Sequence, residues 1–151
     1  MLDKPQASPW LRPLRSAAAS PILLIARILM GYIFVLSGWG KLMGLAGFTA
    51  RMQEQGIPYA LAVVGPIVEL FGGLALVLGV ATPCAFLALI AFTLVATGIG
   101  HRFWEYDGPP RAAQVINFEK NMAMVGGLLA LFVAGPGSFS FDHLFARRGS
   151  S

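Results

Sequence analysis

Two ionisable residues, Arg27 and Glu69, lie inside long apolar runs of this sequence. A charge near the centre of a hydrocarbon layer costs about 2.5–3.5 kcal/mol on insertion scales, so such residues turn inward and find partners. The expectation is that Arg27 and Glu69 share one interior space and interact, directly or through water. The helical rise separates their depths by roughly 7 Å, within reach of an arginine. The alternative is that Arg27 snorkels to the headgroups on the side of the termini and Glu69 is protonated. A second group falls in one leaflet, where the ends of the first and third runs meet the starts of the second and fourth: Lys41, His101, Arg102, Trp104, Asn117, Glu119, Lys120 and Asn121. His101 reads either as an interfacial histidine or as a proton or hydrogen-bond donor beside a bound headgroup. Cys84 is the one cysteine, so no internal disulfide and no CxxC pair exists. His101 and His143 fall on opposite sides and cannot jointly hold a haem, and no metal site is expected. Gly72-Gly73 lies within an apolar run, where no nucleotide loop fits.

The elements that position these residues follow from composition. The chain has 151 residues, 56% apolar and 12% charged, with a mean hydropathy of +0.70. So few charges would cover a water-soluble fold of this size poorly. An ordinary soluble enzyme, a disordered chain and a disulfide scaffold are therefore excluded. The net charge of +4 does not signal nucleic acid, because Lys and Arg stand singly between apolar runs; they read as membrane-flanking residues.

Four runs are long and apolar enough to span: 22–40, 60–80, 83–100 and 118–134, the last with Glu119 and Lys120 in its first turn. The first is too long for a signal peptide, contains Arg27 and lacks a small-x-small cleavage site. Thr82 suits an N-cap and Pro83 the first helical position, giving a tight hairpin between runs two and three. Leu45, Phe48 and Met52 recur opposite Thr49, Arg51, Gln53 and Glu54 until Gly56 and Pro58 stop the pattern, which predicts a short interfacial amphipathic helix. Phe103, Trp104 and Tyr106 predict an aromatic belt, and Asp107-Gly108-Pro109-Pro110 a turn. Small residues predict close helix packing: Ala75 with Gly79, Ala96 with Gly100, Gly126 with Ala130 and Ala134, with further approach points at Gly72-Gly73 and Gly126-Gly127. The fold expected is all-α, a polytopic antiparallel bundle of four transmembrane helices with the interfacial helix between the first two. A basic segment (1–20) precedes the membrane domain (21–142) and a tail (143–151) follows. Four spans put both termini on one side. Lys and Arg outside the spans divide five against five, and the first helix, with three on its N-terminal flank against two in the next loop, favours cytoplasmic termini.

The order Arg27 … Gly31-Tyr-Ile-Phe34 … Ser37-Gly38-Trp-Gly-Lys41-Leu42, Gly56-Ile-Pro58, Glu69-Leu-Phe-Gly72-Gly73, Gly79 and Thr82 resembles the DoxX family of small membrane proteins. The likeness continues through His101-Arg-Phe-Trp104, Glu119-Lys120-Asn121, Gly126-Gly127 and Gly135-Pro-Gly137 to Asp142. It implies a four-helix integral protein of the cell (inner) membrane. Some members are named as subunits of quinol-oxidising or thiosulfate:quinone oxidoreductase complexes, and others are linked to oxidative-stress defence through partner enzymes. By position, Arg27, Lys41, Glu69, His101, Trp104 and Asn121 are the signature residues the resemblance carries over.

With no ligand set for a tightly held metal and no redox cysteine pair, the chain alone is a poor candidate for a terminal oxidase. Three readings stay open. A diffusible quinone or quinol could bind in a pocket opening to the polar leaflet, the chain then being a subunit of or accessory to a quinone-linked oxidoreductase. It could be a non-catalytic membrane scaffold for a soluble redox enzyme. It could carry a small lipophilic substrate past Arg27 and Glu69. The candidate ligand-binding residues are Arg27, Lys41, Glu69, His101, Trp104, Glu119 and Asn121; none is assigned a catalytic role. The partners expected are the lipid bilayer, a redox protein and a second copy of the chain, with no nucleic acid and no tightly bound cofactor.

Overall fold

The computed structural model describes residues 19–148. Among the described residues six α-helices follow one another: α1 (Ala19–Met43), α2 (Leu45–Glu54), α3 (Tyr59–Leu78), α4 (Thr82–Gly100), α5 (Gly108–Ala134) and α6 (Phe141–Arg148), with a 3₁₀ turn at Phe103–Glu105. No strand occurs among the described residues. Four of the helices, α1, α3, α4 and α5, are long and apolar enough to cross a membrane. Leu29, Phe71, Val95 and Val133 point outward from them, as suits a bundle whose solvent is hydrocarbon and whose backbone polar groups are satisfied within each helix.

Helix α1 packs on α3, α3 on α4 and α4 on α5, while α5 returns only loosely to α1. The core is Phe34, Leu76, Phe86, Leu89, Leu128 and Leu131. In lipid, apolar side chains gain little by leaving a medium as oily as themselves, so association depends on close contact. The α1–α3 seam supplies it. A Cβ at Gly31 would lie 2.9 Å from the Gly73 carbonyl oxygen, and one at Gly38 2.6 Å from the Leu70 amide nitrogen. These backbones touch because three positions carry no side chain. Of the packing points expected from the sequence, Gly72 meets Leu89 and Gly127 meets Met30, but Gly100 and Gly126 face open space.

Three boundaries differ from the sequence expectation. The fourth membrane helix begins at Gly108, not near 118, and the expected turn at Gly108-Pro109-Pro110 is its first turn. Proline is tolerated there because the first amides of a helix have no intrahelical acceptor. The tail expected from 143 is helical to Arg148, and α6 crosses the boundary drawn at 142. Basic residues of the N-terminal segment, Lys4, Arg12 and Arg15, lie outside the described residues.

The α3–α4 hairpin shows the third difference. Gly79 closes α3 in the left-handed region, φ 72°, with the amides of Gly79 and Val80 both donating to the Ala75 carbonyl. Ala81 is the N-cap of α4, and Thr82 is its first residue. Thr82 does not cap its own helix. Its hydroxyl donates to Asp142 at 2.7 Å, and the Ala81 and Thr82 amides donate to the same carboxylate at 2.8 Å each. The cap of α4 is thus supplied from α6.

Burial alone would raise the Asp142 carboxyl. The hydrogen bonds from Thr82 and Ala81, with the positive charge of Arg27, outweigh that and hold it below the usual carboxylate range. A carboxyl depressed in the folded state stabilises above its unfolded value, about 3.9, and the gain is lost as pH falls through the lower native value. Asp142→Asn keeps one acceptor but removes the charge that these donors and Arg27 face, and is expected to cost about 1.5 kcal/mol at neutral pH, the lower end for hydrogen bonds to charged groups. Thermal melts in detergent over a falling pH series check this: the two proteins separate at neutral pH and approach each other as pH drops through the lowered native value.

Candidate functional site

Helix side chains lean toward the helix N-terminus. Helices α1 and α3 run antiparallel, so Arg27 on α1 and Glu69 on α3 lean apart. The expected Arg27–Glu69 pair is accordingly absent. Arg27 is fully buried at the end of the bundle where α1 begins and α6 lies; there Nη2 donates to the Phe139 carbonyl and Asp142 supplies the nearby negative charge. It is enclosed by Gly79 and the segment that leads into α6.

Glu69 leans toward the other end and meets Lys41. Lys41 Nζ lies 2.6 Å from Glu69 Oε2, and Ser37 Oγ donates to Oε1 at 2.9 Å. Ser37 and Lys41 are four residues apart and therefore share one face of α1. Both oxygens of the buried carboxylate are satisfied, and the charge is matched. Phe48 of α2 and Phe92 of α4 flank the ammonium, their ring centres 5.6 and 5.9 Å away. Helix α2, expected in the headgroup plane, thus packs its Phe48 face over this ion pair.

The pair forms one wall of a cavity of about 190 Å³ between α1, α3, α4 and α5. Phe34, Phe92 and Met124 make its apolar sides; Ser37, Lys41, Glu69, Thr93, His101, Lys120 and Asn121 bring the polar atoms. His101 Nδ1 pairs with Gln114 Oε1 at 2.9 Å, and with that oxygen accepting, Nε2 of a neutral ring remains an acceptor. Asn121 Nδ2 donates to Thr97 Oγ1 at 2.9 Å, and Thr97 passes its own hydrogen to the Thr93 carbonyl at 2.6 Å. Asn121 Oδ1 is left as a second acceptor. Lys120 Nζ donates to Asn117 at 3.0 Å. An ammonium has three donors, so the two lysines bring spare N–H groups. The wall therefore offers donors and acceptors together and a net positive charge from two lysines against one carboxylate.

Four of the sequence candidates line this cavity: Lys41, Glu69, His101 and Asn121. Three do not. Arg27 is at the opposite end of the bundle. Trp104 is exposed and stacks edge-on with Phe103 and Phe118. Glu119, next to Lys120 on α5, points outward because neighbours on a helix diverge by about 100°. Ser37, Thr93 and Lys120 were not among the candidates. The i, i+4 spacing of Ser37 to Lys41 was the available signal for the first.

The comparisons with known proteins agree with this architecture. The DoxX family model matches residues 22–102, which carry α1 to α4, Lys41, Glu69 and His101. The inner membrane protein YphA of Escherichia coli is 36% identical over 129 residues, covering 84% of this chain and 92% of its own. The inner membrane protein YqjF of the same organism is 33% identical over 126 residues, covering 83% and 93%. No solved structure matches. A family match across more than half the chain, two relatives aligned along nearly their whole lengths and four spanning helices lead to one assignment: the chain is a multi-pass membrane protein belonging to the DoxX family.

Proposed function

We propose that this protein, like its named relatives, resides in an inner membrane and receives there the polar head of a quinone, serving a quinone-linked redox system as subunit or accessory. The observation that carries this reading is the cavity of about 190 Å³ with an apolar ring-facing side and polar atoms of both kinds. A quinone presents two carbonyl acceptors, which the spare N–H groups of Lys41 and Lys120 suit. A quinol presents two hydroxyl donors, which His101 Nε2 and Asn121 Oδ1 suit. Reduction of a quinone to a quinol takes two electrons and two protons. The electrons come from the partner enzyme. This chain holds the head and, through His101 beside the Lys41–Glu69 pair, exchanges protons with the polar leaflet.

The test is direct. Solvent extraction of the purified protein should release quinone, and equilibrium dialysis should show saturable binding of a tail-less dimethoxy-methyl-benzoquinone. Lys120→Met, at an exposed position outside the core, should weaken that binding about tenfold, the loss of one charge-assisted hydrogen bond. Neither retention nor saturable binding, together with recovery of a soluble enzyme on the same protein, would favour the scaffold instead.

A further inference from the structure

Ligand pockets that enclose a whole small molecule run to about 300–1,000 Å³. A cavity of about 190 Å³ holds a head and leaves no room for a tail. The α1–α5 seam, the loosest in the bundle, supplies the room. A groove of about 590 Å³ runs along it, lined by Leu23, Leu29, Met30, Gly127, Ala130 and Ala134 among others. Its lining is almost wholly apolar, and it opens sideways from the bundle. The groove and the polar cavity share two lining residues, Ile33 and Met124, so these two side chains form the partition between them. From Ile33 the groove follows α1 back to Leu23, roughly 15 Å at the helical rise. At its middle the Met30 methyl sits over Gly127, 2.5 Å from where a Cβ would stand. A thioether there is a flexible plug that swings aside at low cost.

Building on the reading above, we infer that the α1–α5 seam is a lateral channel between helices. It admits from the bilayer a lipid-like molecule with one polar head and one long hydrocarbon tail. The head enters the cavity past Ile33 and Met124, and the tail lies in the groove from Met30 to Ala134. The tail gains little by leaving lipid for an equally apolar groove. The groove therefore sets the route and the orientation, and the polar cavity sets the affinity. An ordinary lipid chain or a second copy of the protein are the competing occupants.

The test uses the full chain in nanodiscs and a benzoquinone carrying a ten-carbon tail with a terminal diazirine. After photolysis, labelled residues are mapped by mass spectrometry. The expected labels fall on Leu23, Met30, Ala130 and Ala134, and an excess of the tail-less quinone removes them. Ala130→Phe, an outward-facing change that fills the groove, should lose the seam labels while tail-less quinone binds as before. Labels scattered over Leu36, Phe71, Val95 and Val133, or seam labels that the tail-less quinone does not displace, would overturn the inference and leave the head-binding reading standing. A wild-type dimer that Ala130→Phe converts to monomer would assign the groove to a second copy and overturn it likewise. Failure of the tail-less quinone to bind at all would bring down the head-binding reading, and the channel with it.

Discussion

Gly79→Ala should cost about 3–5 kcal/mol and release α6 from the bundle. Two effects combine. The residue sits at φ 72°, where a side chain costs about 1–2 kcal/mol. An added Cβ would also lie 1.9 Å from Arg27 Nη1, 2.5 Å from Ser140 Cβ and 3.0 Å from Ser140 Cα. The arginine has nowhere to go, because it is fully buried and tied to the Phe139 carbonyl. The clash must therefore push out the segment that carries Phe139, Ser140 and Asp142, and the cap of α4 leaves with it. Gly56 separates the two effects. Its φ is 80°, and a Cβ there meets nothing within 4 Å. Gly56→Ala should therefore show the conformational cost alone, about 1 kcal/mol. Thermal melts followed by fluorescence-detected size exclusion would compare them. Equal melting temperatures for the two variants would mean that α6 does not pack on Gly79.

The second large effect belongs to Lys41 and Glu69. Their exposures differ, 31% for the lysine side chain and 6% for the glutamate, and so should their single variants. Lys41→Met leaves a buried carboxylate with only Ser37 as partner and is expected to cost about 3–5 kcal/mol. Glu69→Gln leaves an ammonium that still reaches water, and about 1 kcal/mol is expected. The double variant should regain much of the loss, giving a coupling energy of about 2 kcal/mol. The same cycle on Arg27 and Glu69 should give none, since each is held by other groups at opposite ends of the bundle. Unfolding midpoints of the four proteins in each cycle measure both numbers. A zero for Lys41–Glu69 would remove the ion pair from the account of the site.

What could be read in the residues divides along physical lines. The spans were legible because hydropathy over 20 residues reports the solvent, and three of the four were placed within a few residues. Helix α5 was cut short because Arg111, Gln114 and Asn117 lower the hydropathy of turns that are nonetheless helical. That Lys41, His101 and Asn121 gather at one end of the bundle was legible by counting which helix ends share a leaflet. Glu69 was legible as a buried charge, but its partner was not. The depth of a Cα says little about where a side chain of three or four bonds ends, and the lean of antiparallel helices carried Glu69 to Lys41 and Arg27 away. Ser37 and Thr93 are neutral and common in membrane helices, so nothing marked them. Asp142 stood in the DoxX-like pattern, yet its bond to Thr82 crosses 60 residues, and no local rule spans that distance.

The tie between Arg27 and Phe139 also bears on how the protein is made. The two residues are 112 positions apart, so the ribosome delivers the guanidinium long before the carbonyl that receives it. The folded-state tie can therefore form only after the last spanning helix has been made and the chain has turned back toward α3. A chain that stops before residue 139 lacks the carbonyl that receives the Arg27 guanidinium.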